Sequence, residues 1–321
     1  MSSADPTTLP QPPFIPHPNI NNLRDAALAP PNGLLTSTSQ KIRRRILYRS
    51  AEVSRLTSSD WSHLRRTHNI GHVFDLRSTP EVIRGFEGVT DPSGKPVIGG
   101  DVRLGWMEGL EAAGVKRHWV PVFEESDYSP ERLAERYVKY MSDGSDGFAQ
   151  AYRDILGNAG RAYGEILRYL AGLADKEEEG QKEASGILVH CTAGKDRTGI
   201  FFGVLFSFLG VGDQDIADEY NLTELGLAHV REDVVQRLAD APAFKEYAAK
   251  NFGELSEEEM GERGREAALR MWGARKESML QSLKMVRREF GSAEGYLRSV
   301  VGLGDGELEG LRRALLVDGE A

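Results

Sequence analysis

The run GILVHCTAGKDRTGIFFGVLFSFLG (186–210) constrains this chain more than any other stretch. GILVH (186–190) is apolar almost to its end and reads as a strand buried on both faces. The residues 198–209 carry too many apolar side chains for one stripe, so they read as a helix buried all round. A strand and a helix of that kind belong at the centre of a layered α/β fold. Between them lies HCTAGKDRTG (190–199), with Cys191, five intervening residues, Arg197 and then Thr198. A tight loop running into a helix N-terminus gathers backbone N–H groups into an anion-binding nest. Gly194 gives the loop the backbone freedom for that turn. Arg197 offers a planar fork that matches two oxygens of a phosphate.

This reading makes Thr192, Ala193, Gly194, Lys195, Asp196 and Arg197 the phosphate-binding set, with Cys191 at the floor. Helix N-termini and nearby cations favour the thiolate form of a cysteine, which is the competent nucleophile. Thr198 is placed to hydrogen-bond the sulfur, and His190 to order the loop rather than to titrate in the chemistry. A lone cysteine is most often a buried structural thiol. That alternative leaves Lys195, Asp196 and Arg197, all within six positions of it, unexplained.

The 321 residues contain this one cysteine only. An internal disulfide and a zinc site built from several cysteines are therefore excluded. Protection of an oxidised Cys191 must then come from a backbone nitrogen or an external thiol. The seven histidines show no metal-ligand spacing, so neither a metal nor an organic cofactor is expected. A formal net charge of −9 argues against a nucleic-acid binder. The longest apolar stretch, Ile200 to Val211, is too short to span a bilayer, and the N-terminus carries no secretion signal. The expected location is the cytoplasm; the sequence sets no oligomeric state.

Most of the prolines fall in residues 1–31. They predict an extended segment, with 1–19 as a flexible arm. The folded domain is expected over 20–316 and a tail over 317–321. Strands are predicted at 46–49, 70–76, 97–104, 118–122 and 186–190. Helices are predicted at 59–67 (capped by Ser58 or Ser59), 130–141 and 148–174, with a solvated acidic linker at 175–185. From 213 to 316 the chain reads as all-helical: 213–226, 230–239, 243–251, 256–290 with a break near 261–272, 292–300 and 305–316. Strands interleaved with helices predict an α/β fold, a mainly parallel central sheet flanked by helices, with a helical C-terminal part.

HCTAGKDRTG resembles the signature of the cysteine-based protein tyrosine phosphatases, in the variant of their atypical bacterial and fungal branch. The resemblance extends to Asn22-Leu23-Arg24-Asp25, Arg49-Ser50-Ala51, Asp75-Leu76-Arg77-Ser78 with Pro80-Glu81, Asp218 to Thr223, and Tyr296 to Leu315. It departs at Ala26-Ala27, where the family usually has a glycine pair, and in a Gly-rich insertion at 85–117. The resemblance implies attack by Cys191 on phosphotyrosine proteins, with phosphoinositides as a further class. It also implies Asp196 as the acid that protonates the leaving oxygen. Asp75, at the end of its strand on the expected active-site side of the sheet, is the second candidate, with salt-bridge duty to Arg77 as its other reading. Glu124, Glu125 and Asp127 are a third group, better read as a solvated face. Lys195, beside the nucleophile, either attracts a second anionic group or reinforces the positive field.

The rival function is a catalytically idle phospho-ligand binding module on the same scaffold. Intact Cys191, Arg197 and Thr198 argue against it. Arsenate reduction usually recruits further cysteines, and sulfur transfer leaves Arg197 and Asp196 together unexplained.

Overall fold

The computed structural model describes residues 9–84, 101–124, 130–141, 146–178, 185–240 and 256–318. The strands are β1 (Arg24–Asp25), β2 (Lys41–Ile42), β3 (Leu47–Ser50), β4 (Ile70–Asp75), β5 (Lys116–Trp119), β6 (Gly186–His190) and β7 (Leu316–Val317). Five of them form one sheet in the order β1-β3-β6-β4-β5. β1 joins β3 antiparallel; the other neighbours run parallel. The apolar strand β6 is therefore central, every residue of it buried. The fold is the expected α/β architecture.

Alternation along the strands divides the core. On one side Tyr48, Val73 and Leu188 pack with Trp61 and Leu64 of α1 (Ser58–His68). Trp106 and Leu110 of α3 (Asp101–Ala112) complete that layer. The short helix α2 (Thr79–Arg84) lies between them in the chain. On the other side Leu47, Phe74, Ile187 and Val189 meet the larger cluster. That side holds α4 (Pro130–Met141), α5 (Asp146–Asn158), α6 (Gly160–Ala171), α7 (Leu173–Glu178) and α8 (Asp196–Leu209). Almost every residue of α8 after Arg197 is buried, as its composition requires. The chain continues through α9 (Asp213–Gly226), α10 (Arg231–Asp240), α11 (Glu257–Trp272), α12 (Lys276–Phe290), α13 (Ala293–Tyr296) and α14 (Asp305–Leu315). α12 packs on α5, α8 and α9, and α14 on α6; β7 then pairs with β2.

Several local expectations shift. The strand expected at 97–104 is not found where the chain is described: Asp101 begins helix α3, whose Trp106 and Leu110 supply core, so this part of the Gly-rich insertion is structural. The helix expected over 148–174 is three helices, broken at Ala159 and Gly172. Residues 175–178 of the expected linker belong to helix α7; residues 179–184 lie outside the described residues. The edge strand ends at Trp119, ahead of Pro121, since proline cannot donate to the ladder. The cap of α1 is Thr57, in a capping box with Asp60. The break expected near 261–272 falls at Gly273–Arg275. The helix expected at 243–251 lies outside the described residues. The folded body reaches back before residue 20. Phe14 is buried, Ile15 N–H donates to Leu23 O at 3.0 Å, and His17 pairs with Asp60 at 3.2 Å.

Candidate active site

The site is the loop between β6 and α8, at the C-terminal end of the parallel strands, where open α/β sheets place ligands. Its shape follows from where its carbonyls are held. Cys191 O accepts from His190 Nδ1–H at 3.1 Å. Thr192 O accepts from Glu52 N–H at 3.0 Å, just beyond β3. Ala193 O and Gly194 O accept from the Asn22 amide at 3.4 Å each, and Gly194 O also from Arg49 Nη2 at 2.8 Å. Lys195 O accepts from Gly199 N–H at 2.8 Å. A trans peptide points its N–H opposite to its C=O. Five carbonyls drawn outward therefore aim the amides of Thr192 through Asp196 inward. No described group accepts from those five amides. Unpaired backbone donors converging at a helix N-terminus fit an anion.

Gly194 has a φ of +65°. A Cβ there would stand 2.0 Å from Ser50 O, so both the left-handed conformation and the close approach of β3 demand glycine. Cys191 is buried at the loop's base. The buried hydroxyl of Thr198 has no hydrogen-bond partner, so the expected bond to the Cys191 sulfur is not made in this structure.

Arg197 is held on three sides. Its backbone carbonyl accepts from Tyr163 OH at 2.6 Å. Its Nη1 donates to Glu81 Oε2 at 2.6 Å and its Nη2 to Glu81 Oε1 at 2.5 Å, an end-on fork. Thr192 Oγ1 donates to the same Oε1 at 2.6 Å. Glu81 is itself fixed by the Ser78 amide and hydroxyl, at 3.0 and 3.1 Å. Glu81 therefore takes the two Nη donors that the sequence reading assigned to a phosphate.

Asp196 opens α8. Its Oδ1 accepts from Tyr152 OH at 3.1 Å and lies 3.3 Å from Lys195 Nζ. Tyr220 OH donates in turn to Tyr152 OH at 2.6 Å. Burial, with the neighbouring Tyr220 and Asp196, pushes the Tyr152 phenol well up, so it stays a donor. Asp196 is thus a partly exposed carboxyl with a fixed aim.

Asp75 is different. It is fully buried, with Arg77 Nε and Nη2 at 2.9 Å and Arg117 Nη2 at 2.8 Å. Burial alone would raise its pKa; the Arg77 charge, His190 and the hydrogen bonds from Arg77 outweigh that and hold the carboxyl well below the usual range. A carboxylate kept ionised by two guanidiniums has no proton to give. The salt-bridge reading fits this geometry and the acid reading does not. His190, wholly buried 3.7 Å from Asp75, is pushed down to about 4 by burial, against the pull of Asp75. It is a neutral imidazole at neutral pH, suited to ordering the loop.

Lys195 does not reach outward. It is 3% exposed. Its ammonium donates to Met271 O and Gly273 O, at the end of α11, and lies over Tyr140 and Phe148. Glu124 is exposed; Glu125 and Asp127 lie outside the described residues. The sequence reading missed Glu81, Tyr152, Tyr163 and Tyr220 as members of the site. Glu81 and Tyr220 left a trace in sequence, Glu81 beside the Asp75–Ser78 motif and Tyr220 within Asp218–Thr223.

A buried cysteine just past the central strand of a mainly parallel sheet, in a loop of converging amides beside a clamped arginine, defines a cysteine-based phosphate-handling site. The chain belongs to the tyrosine phosphatase family, whose model matches residues 15–317. It is similar to a tyrosine-protein phosphatase of Nostoc commune, 28% identical over 174 residues. That match covers 54% of this chain and about half, 51%, of the Nostoc protein. It is also similar to the triple specificity protein phosphatase PtpB of Mycobacterium tuberculosis, 25% identical over 316 residues, 93% of this chain and 98% of that protein. Among the described residues no helix is long and apolar enough to cross a membrane.

Proposed function

We propose that the protein hydrolyses phosphomonoesters through a cysteinyl-phosphate. The observation that carries this reading is the inward set of amides from Thr192 to Asp196 above Cys191, with Arg197 locked at their side. The thiolate attacks phosphorus; an S–P bond forms as the ester P–O bond breaks. Asp196 gives its proton to the leaving oxygen. The amides and Arg197 hold the equatorial oxygens as charge redistributes. Water then attacks phosphorus, the S–P bond breaks, and Asp196 takes the water's proton. Thr198 donates to the departing sulfur.

Phosphotyrosine proteins are the proposed substrates, in keeping with the relatives named tyrosine-protein phosphatase and triple specificity phosphatase. Phosphoinositides are a second proposed class, but Lys195 is not the group to read them, because two backbone carbonyls already hold its ammonium. A reducing compartment suits a nucleophilic thiol, and we place the activity in the cytoplasm. The test is turnover of phosphotyrosine peptide, phosphoserine peptide and phosphoinositide by the wild type and Cys191→Ser. Hydrolysis by the wild type that Cys191→Ser abolishes supports the reading. Hydrolysis surviving in Cys191→Ser removes Cys191 as nucleophile. Phosphate binding without hydrolysis favours the idle binding module.

A further inference from the structure

Three motifs far apart in sequence meet behind the phosphate loop. Arg24, Arg49 and Glu219 are each at most 1% exposed. Arg24 Nε donates to Glu219 Oε1 at 2.8 Å and Arg49 Nη1 to Glu219 Oε2 at 2.5 Å. Arg24 also donates to Glu219 O at 3.1 Å, to Thr223 Oγ1 at 3.2 Å and to Asn22 Oδ1. Asn22, so oriented, donates its amide to Ala193 O and Gly194 O. Arg49 reaches the same Gly194 O directly. Two guanidiniums share one carboxylate, and among the described residues no other carboxylate forms an ion pair with either. One buried positive charge is left over. Phe202 lies 5.3 Å from the Arg49 guanidinium carbon, and Arg49 Nε has no partner.

Burying an unbalanced charge is expensive unless something compensates it. Here the cluster touches the loop that cradles an anion. We propose that Arg49, with Arg24 and Glu219 behind it, positions the phosphate loop and supplies it with a buried positive charge that a bound phosphate balances. Arg49 is a positioning residue: it holds the Gly194 carbonyl back so that the following amide faces the ligand. Arg24 fixes Glu219 and Asn22 and sets the net charge. The inference rests on the reading of the loop as a phosphate site.

The test separates charge from aim without needing turnover. Inorganic phosphate is titrated for its protection of Cys191 against iodoacetamide, followed by intact mass. Arg24→Met leaves a neutral Arg49–Glu219 pair and keeps the bond to Gly194 O. Arg49→Met leaves a neutral Arg24–Glu219 pair and loses that bond. Arg49→Lys keeps the charge and loses the fork. Expected is a rise in the half-protecting phosphate concentration of about threefold to tenfold for Arg24→Met and for Arg49→Lys, and of more than about tenfold for Arg49→Met. Melting curves identify which variants fold. Folded variants whose half-protecting concentration stays within twofold of wild type overturn the proposal. If Arg49→Met does not fold, Arg24→Met and Arg49→Lys decide. Wild type that phosphate does not protect refutes the site itself. Protected wild type without hydrolysis refutes only the hydrolase reading.

Discussion

At the scale of single residues, the carboxylates around Arg197 and Cys191 divide by what each oxygen already holds. Glu81 spends both oxygens on Arg197, Thr192 and Ser78. It therefore keeps the guanidinium from swinging, and its removal is felt when charge develops on the phosphoryl group. Charge-assisted hydrogen bonds are each worth about 1.5–3 kcal/mol. Glu81→Gln is expected to lower kcat/KM by roughly 10–100-fold, measured with phosphotyrosine peptide. An increase would mean that Glu81 competes with phosphate for Arg197. Asp196 and Asp75 part company in the same way. Asp196→Asn is expected to cost about 100-fold or more on substrates with basic leaving groups and little on an activated aryl phosphate. Asp75→Asn breaks a buried pair and is expected to cost about 3 kcal/mol in urea unfolding. Its folded fraction keeps the wild-type dependence on leaving-group pKa. A changed dependence in Asp75→Asn would return Asp75 to the chemistry.

At the scale of elements, β6 and α8 were legible because their composition leaves one arrangement each. A strand apolar through Val189 and a helix apolar all round have to be central, and the loop between them carries its chemistry in residue types. Less legible was everything that depends on a partner distant in the chain. Asp75 at a strand end suits an acid until Arg117, from β5, closes on it. Lys195 beside a nucleophile suits an anion reader until Met271 and Gly273 take its protons. In the insertion, the run at 97–104 suggested a strand, but Asp101 begins α3, whose Trp106 and Leu110 carry it into the core. The β6–loop junction also makes a pH-dependent element. Burial lowers His190 from 6.5 to about 4, so folding favours the neutral ring. Its contribution is fully present above the unfolded pKa and is lost as pH falls through the folded one. Between pH 7 and pH 5 the loss is about 2 kcal/mol. Urea unfolding at the two pH values is expected to show this component in wild type and to lose it in His190→Gln. An equal loss in both proteins would assign the dependence elsewhere.

At the scale of the whole molecule, the question is whether the helical C-terminal part is an appendage or part of the same cooperative unit as the sheet. The contacts argue for one unit. Lys195, in the phosphate loop, is gripped by carbonyls at the end of α11, and Asn221 of α9 donates to Ala274 O at 2.9 Å in the same joint. α12 covers α8, and the last strand β7 pairs with β2 near the other end of the chain. Elements that belong to one cooperative unit open together, and elements of separate units open at different free energies. Hydrogen exchange across a urea series is therefore expected to give the protected amides of β6, α8, α12 and α14 a common opening free energy and a common midpoint. Lys195→Met removes a buried ammonium and orphans two carbonyls, at a cost of roughly 1–3 kcal/mol. If the joint couples the two parts, all four elements lose that stability together. If α12 and α14 open first while β6 and α8 keep their wild-type protection, the C-terminal helices are a separate unit, and the phosphate loop does not depend on them.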